Sequence, residues 1–343
     1  MNIHKERLFY LDFIRAISIL SIVIFHFNAS LSSRSIGETL ILFDTFPNGN
    51  LGRIGVSLFF ILSGAALMYT YQNDFSLKRY VKKRFLSIYP MFWVAYAIVF
   101  LFYLYKYYAI NPFSQPAPKW TFLLSIIGMD GYYVALIPNY YILGEWFLGA
   151  IVIFYCIFPI LRKLVIQYPK ILVICSLSVY FLVVETYSFD NFLIDYVILA
   201  RLPEFLFGMY LIRYINKLTI YYFSMALIVS LIMLFIRIDI NYMYLITITG
   251  ISLFIVIAFI GQNINMNKLQ MPFKIISKYS FAMFLIHHVI LEQILVRFHQ
   301  RMVSPIETYS LFILNLIILA IMSRLLVKLT DKISDYFNRI KVL

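Results

Sequence analysis

Apolar residues recur along this chain in ten blocks, at roughly 8–28, 54–72, 86–106, 141–162, 170–186, 196–213, 219–236, 242–261, 276–296 and 308–329. Each is roughly 18 to 25 residues long, enough at 1.5 Å per residue to cross a hydrocarbon core about 30 Å thick. In lipid the backbone must close its hydrogen bonds internally, and runs of this length do so as helices rather than barrel strands. The pattern predicts an all-α integral membrane protein with about ten transmembrane helices in one bundle. Asp12 and Arg15 interrupt the first block, and no small-residue cleavage site follows it, so a span is expected there rather than a cleavable leader. The longest polar interruptions are 30–53 and 107–140. The second holds Pro112, Pro116, Pro118 and Pro138, and it suits either a cover over an outward-facing site or a short re-entrant segment. No internal repeat supports a duplicated transporter architecture. A single domain over 1–343 is expected, ending in a short cytoplasmic tail at 330–343.

Composition agrees with the pattern. The 343 residues are 62% hydrophobic and 13% charged, and their mean hydropathy is +0.85. A soluble protein of this length needs far more polar surface. The net charge of +13 in a soluble protein would suggest nucleic acid; here it fits loops facing an anionic leaflet, and no nucleic-acid partner is expected. With the N-terminus inside, the inner segments carry 19 Lys and Arg and the outer ones 7, while Arg15, Arg201 and Arg324 fall within spans. The positive-inside rule then predicts an N-in, C-in chain. Cys156 and Cys175 both lie in apolar spans and are expected as packing residues, not as a disulfide or metal pair.

Ionisable side chains within spans are costly and usually face a cavity or one another. Arg15 and His26 are eleven residues apart, within about 20° of three full turns, so they share a helix face and are separated by roughly 16 Å along the axis. Asp12, one turn before Arg15, can pair with it. Arg53 opens the second span, where Ser57, Ser63 and Gly64 suit close packing. Glu145 begins the fourth span. Arg201 and Glu204, three residues apart in the sixth, can form an ion pair with each other. His287 sits mid-way in the ninth span, with His288 turned away by about 100°. The topology puts Arg53, Glu145, Arg201, Glu204 and His26 in the outer half, as a shared outward-opening polar site requires.

At these residues the chain resembles the membrane-bound acyltransferase 3 family. The first-helix signature is a basic residue, ten others and a histidine, read here from Arg15 to His26. Gly55 to Gly64 resembles the family's Gly-Val-x-x-Phe-Phe-x-x-Ser-Gly pattern. Lys83-Arg84 through Tyr89-Pro90 and Trp93 is similar to its basic entry into the third helix. Trp146, Phe154-Tyr155 and Pro159 resemble the fourth-helix aromatic pattern. Arg201, Glu204, Phe205 and Gly208 resemble Arg-x-x-Glu-Phe-x-x-Gly, and Ser280, Leu285 and His287 the late Ser-Tyr-x-x-Tyr-Leu-x-His motif. The chain departs from the family at Ile151, where many members carry glutamate, at Phe281 and Phe284 in place of two tyrosines, and at Ser87 in place of an arginine. These departures bear on the acceptor rather than the fold.

The resemblance implies the stand-alone form of a polysaccharide O-acyltransferase in the bacterial inner membrane. It would move an acyl group, most simply acetyl, from acyl-CoA on the cytoplasmic side to a sugar hydroxyl, with acetyl-CoA as co-substrate and no resident cofactor or metal. The acceptor is a sugar or polysaccharide, free or lipid-linked, and membrane lipids surround the protein. O-acylation needs a base for the hydroxyl proton and groups to stabilise the oxyanion. His26 is expected as the base, and Arg15 as the catalytic cation facing the donor. Arg84 and Lys83 are expected on coenzyme A phosphates, although positive-inside topology accounts for them equally well. Arg53, Ser57, Glu145, Arg201, Glu204 and His287 are expected to hold the acceptor or the oxyanion. Tyr132, Tyr133, Tyr140 and Tyr141 suit either sugar stacking or an interfacial belt. The alternative is a glycan exporter.

Overall fold

A computed structural model describes residues 8–37, 39–108, 116–215, 217–298 and 302–340. Lys5, Arg7, Pro112, Arg301 and Lys341 lie outside the described residues. The helices are α1 (Phe9–Ser33), α2 (Leu51–Tyr71), α3 (Leu77–Tyr107), α4 (Phe122–Ile126), α5 (Asp130–Tyr133), α6 (Trp146–Gln167), α7 (Pro169–Thr186), α8 (Ile198–Tyr214), α9 (Ile220–Phe235), α10 (Tyr242–Asn263), α11 (Asn267–Leu295) and α12 (Pro305–Ile340). A two-residue hairpin, β1 (Thr45–Phe46) with β2 (Gly49–Asn50), precedes α2. The protein is an all-α integral membrane protein. Every expected span coincides with a helix, and among the described residues eight helices are long and apolar enough to cross a membrane. The two that fall short are α8, with 17 residues, and α9, with 16. The helix α12 continues through the expected tail segment as far as Ile340. Within 107–140, the described part folds as a 3-10 turn at Lys119–Thr121 and the short helices α4 and α5.

The chain gathers into two compact units. The first comprises 1–25, 42–75 and 153–278, and the second 26–41, 76–152 and 279–343. In the first unit α2 and α8 cross so closely that a Cβ on Gly64 would lie 2.0 Å from the Phe205 carbonyl oxygen. One on Gly208 would lie 1.9 Å from that of Ile61. Backbone contact of this kind between membrane helices requires small residues on both faces, which is the packing role expected of Gly64. Phe154 and Phe205 stack beside this crossing, with ring centroids 4.5 Å apart and both fully buried. Helix ends are satisfied by side chains. The Asn50 carboxamide oxygen accepts from the Arg53 amide at the start of α2. At the other end, Arg162 donates to the carbonyls of Tyr71 and Gln72.

In the second unit α3 carries the short helices. Trp93 Nε1 donates to the Ile126 carbonyl at 2.8 Å, and the Tyr96 hydroxyl to that of Tyr140 at 2.6 Å. Asn28 and the Ile41 backbone exchange two hydrogen bonds, fastening the chain that leaves α1. Cys156 and Cys175 are free thiols, but both are exposed on their helices instead of packed in the core. An outward thiol on a lipid-facing helix sits among hydrocarbon as readily as an interior one, so hydropathy alone could not tell the two apart.

Candidate functional site

The expected site residues gather in two constellations, one in each unit. In the first, Arg201 is fully buried at the start of α8. Its Nε donates to the Asp195 carbonyl at 2.9 Å, one terminal nitrogen to the Asp195 carboxylate at 2.8 Å, and the other to Glu204 at 3.2 Å. The ion pair with Glu204, one of the two readings open from spacing, is therefore formed. Asp195 also accepts from the Tyr242 hydroxyl at 2.7 Å and lies 3.4 Å from Arg53 Nε. Arg53 stands over the Tyr242 ring at 4.4 Å and is 37% exposed, so it is the cation of this group that a ligand can reach. Ser57 is buried, its Oγ standing where a Cβ on Gly250 would fall. It therefore takes the close-packing position that the sequence also allowed. Asp195 and Tyr242 escaped the sequence reading. Asp195 lies in the short connection before α8, outside any span, and Tyr242 is the first residue of α10, a helix end where aromatics are common in membrane proteins.

The helix α1 is unbroken from Phe9 to Ser33, so Arg15 and His26 have the expected helical spacing. Arg15 lies 3.9 Å from Asp12, whose carboxylate accepts from Ser277 at 2.7 Å. Lys83 is exposed and Arg84 half-buried on the first turns of α3.

The second constellation is built from α1, α11 and the turn before α6. Gly144 adopts the left-handed conformation (φ +79°), which a side chain would strain. Its N–H donates to the Leu285 carbonyl, and its own carbonyl accepts from Tyr141 at 2.7 Å. This turn delivers Glu145 against α11, three residues past Leu285. There its carboxylate pairs with His288 Nε2, and it lies 3.9 Å from His26 Nε2. The rings of His26 and His288 meet edge to face with centroids 4.2 Å apart. Those of His26 and His287 are 5.3 Å apart, and those of His287 and His288 4.4 Å.

His287 is buried, with Nδ1 2.8 Å from the Phe284 carbonyl oxygen. A carbonyl only accepts, so Nδ1 carries a proton, and in the neutral ring Nε2 presents a lone pair; among the described residues that nitrogen has no hydrogen-bond partner. A neutral imidazole held this way accepts from a hydroxyl and does not donate to an oxyanion. Accepting from a hydroxyl in this way is one of the two roles expected for His287. The role of His288 could not be read from helical rotation. It turns away from His287 by about 100° as a helix requires, and the Glu145 turn meets it there. Arg34 pairs with Glu292, one turn beyond His288.

The atoms His26, Glu145, His287 and His288 offer all lie within 4.8 Å of one another. Such a set can run acid–base chemistry at a hydroxyl or hold a divalent cation.

Deeper in the second unit, Asp130 is buried at the start of α5. Its Oδ1 accepts from the Gly131 amide, and its backbone carbonyl from Asn139. Burial pushes its carboxyl up to about 7, against hydrogen bonds from Ser125 and Gly131 that favour the ionised form.

The fold is that of a multi-pass helical membrane protein, and it brings a histidine–carboxylate cluster together from α1, α11 and the turn before α6. More particularly, this chain belongs to the acyltransferase 3 family, whose acyltransferase-domain model matches residues 8–327. It is a membrane acyltransferase. An "Uncharacterized protein" of Haemophilus influenzae is 28% identical over 179 residues, which cover 46% of this chain and 71% of that protein. No solved structure matches the chain.

Proposed function

We propose that this protein is an O-acyltransferase of the bacterial inner membrane, moving an acetyl group from acetyl-CoA to a hydroxyl of an envelope or exopolysaccharide sugar. The observation that carries this reading is the convergence of His26, His287, His288 and Glu145 in a chain of this family. An acceptor hydroxyl seated against the cluster loses its proton to His26 as its oxygen attacks the thioester carbonyl. The carbon–sulfur bond then breaks, and the coenzyme A thiolate leaves and takes the proton from the His26 imidazolium. Glu145, beside both His26 and His288, stabilises the imidazolium that forms. His287 Nε2 accepts from a second sugar hydroxyl and orients the ring. On the donor side, Arg15 faces the coenzyme A donor from the cytoplasmic half, while Arg84 and Lys83 hold the coenzyme A phosphates. Arg53 supplies the accessible positive charge of the first constellation.

The test is acetyl transfer by the purified protein in proteoliposomes, from labelled acetyl-CoA to envelope glycan, with His26→Ala compared against wild type. His26→Ala should insert and melt like wild type and lose transfer. Full transfer by that variant, or glycan movement across the bilayer that survives it, overturns the reading.

A further inference from the structure

A cavity of about 770 Å³ lies among α3, α11 and α12, wholly inside the second unit. It is a groove open along one side, where Ile98, Leu314 and Leu325 are exposed, and its volume is typical of a site for a bound molecule. It is long: its α12 wall runs from Leu311 to Leu329, which is roughly 27 Å at 1.5 Å per residue. A hydrocarbon core is about 30 Å thick. Its walls are apolar except for Gln293, near the C-terminal end of α11, and Arg297, in the 3-10 turn Val296–Phe298 that follows it. Lys106, at the C-terminal end of α3, hydrogen-bonds the Gln293 side chain and adds a second cation there. Arg297 is exposed, and among the described residues it has no ion-pair partner.

We infer that this groove seats the hydrocarbon chain of a lipid-linked glycan, with its phosphate at Arg297 and Lys106 and its sugars reaching the histidine cluster. The long apolar wall fits a chain, and two cations confined to one end fit an anionic linkage at the end of that chain. The third argument is reach. Arg297 is nine residues beyond His288, in the 3-10 turn Val296–Phe298 that continues α11, roughly 13 Å along the axis, and the groove-lining face of α11 is turned away from His288. A head group anchored at Arg297 must therefore cross the end of α11 to meet the histidines. A phosphate followed by one or two sugar rings has that length, and an ordinary phospholipid head group does not. The sugar part of this inference rests on the transferase reading above; the chain and phosphate parts do not.

The experiment uses the full chain in phosphatidylcholine nanodiscs. The probe is a long-chain isoprenyl diphosphate disaccharide with a photoreactive group at the far end of its chain, and its adducts are mapped by peptide mass spectrometry. Adducts should concentrate on the groove faces of α3 and α12. They should fall at least about tenfold, a difference of about 1.4 kcal/mol, with unlabelled lipid-linked sugar, in Arg297→Gln, and in the groove-filling Leu314→Trp and Leu325→Trp. Both leucines are exposed on α12, so a larger side chain there leaves the core alone. Excess phosphatidylglycerol should not compete. Adducts spread over all lipid-facing helices, or equal competition by phosphatidylglycerol, overturn the inference and make the groove a general lipid site. Groove labelling without acetyl transfer to the bound sugar sinks the transferase reading alone. Acetyl transfer to free glycan at wild-type rate in the groove-filled variants sinks the lipid-linked acceptor alone.

Discussion

Replacing Glu145 by glutamine keeps the shape of the side chain and removes its charge, which isolates the electrostatic part of its role. The carboxylate lies 3.9 Å from His26 Nε2. Two unit charges at that distance interact by about 1 kcal/mol in bulk water and about 4 kcal/mol at an effective dielectric constant near 20. The His26 side chain is 25% exposed and that of Glu145 16%, so the environment lies between these limits. An imidazolium forming on His26 is then stabilised by about 2–3 kcal/mol, and its loss slows the chemical step roughly 30- to 150-fold. The assay is acetyl transfer at saturating acetyl-CoA and acceptor, read as kcat. KM for acetyl-CoA should stay unchanged, because Glu145 acts on the proton and not on the donor. The same loss should appear in a His288→Gln background, since the effect runs directly from the carboxylate to His26. A kcat within about twofold of wild type, under 0.5 kcal/mol, refutes the reasoning. Disappearance of the effect in the His288→Gln background shows instead that Glu145 works only by holding His288.

The two arginines of the first constellation should separate stability from activity. Arg201→Met strands Asp195 and Glu204 without their buried partner and should cost about 3–5 kcal/mol, visible as a lowered Tm in detergent. Arg53→Gln should melt like wild type but lose turnover. Asp130 has its folded pKa raised, so the folded state binds its proton more tightly than the unfolded chain does. Its effect on stability is favourable at low pH and is lost as pH rises from about 4 through about 7, by at most about 1.4 kcal/mol per pH unit. Thermal unfolding across that range should show the decline in wild type and a flatter curve in Asp130→Asn. The histidine cluster is read as an acid–base set, so exhaustive chelation should leave acetyl transfer intact. Loss of activity restored by a divalent cation assigns the 4.8 Å cluster to a metal instead.

The sequence by itself determined the class of fold and most of its elements. The physical reason is that hydrocarbon demands long, internally hydrogen-bonded apolar segments and makes every intramembrane charge conspicuous. Arg15, His26, Arg201, Glu204 and His287 stood out on that ground, and the helical period set the spacing of Arg15 and His26. Local spacing also allowed the Arg201–Glu204 pair, because residues three apart on a helix are neighbours. Only the tertiary structure decided which charges share a site. Helical rotation turns His288 away from His287, and no periodicity announces that a left-handed turn at Gly144 delivers Glu145 to that face. Asp195 lay in a connection between spans, where an acidic residue is cheap and carries no signal, until the fold set it against Arg201, Tyr242 and Arg53. The cavity among α3, α11 and α12 was hidden for a related reason. Its wall residues have the same hydropathy as any lipid-facing surface, and only packing distinguishes a groove from a flat side.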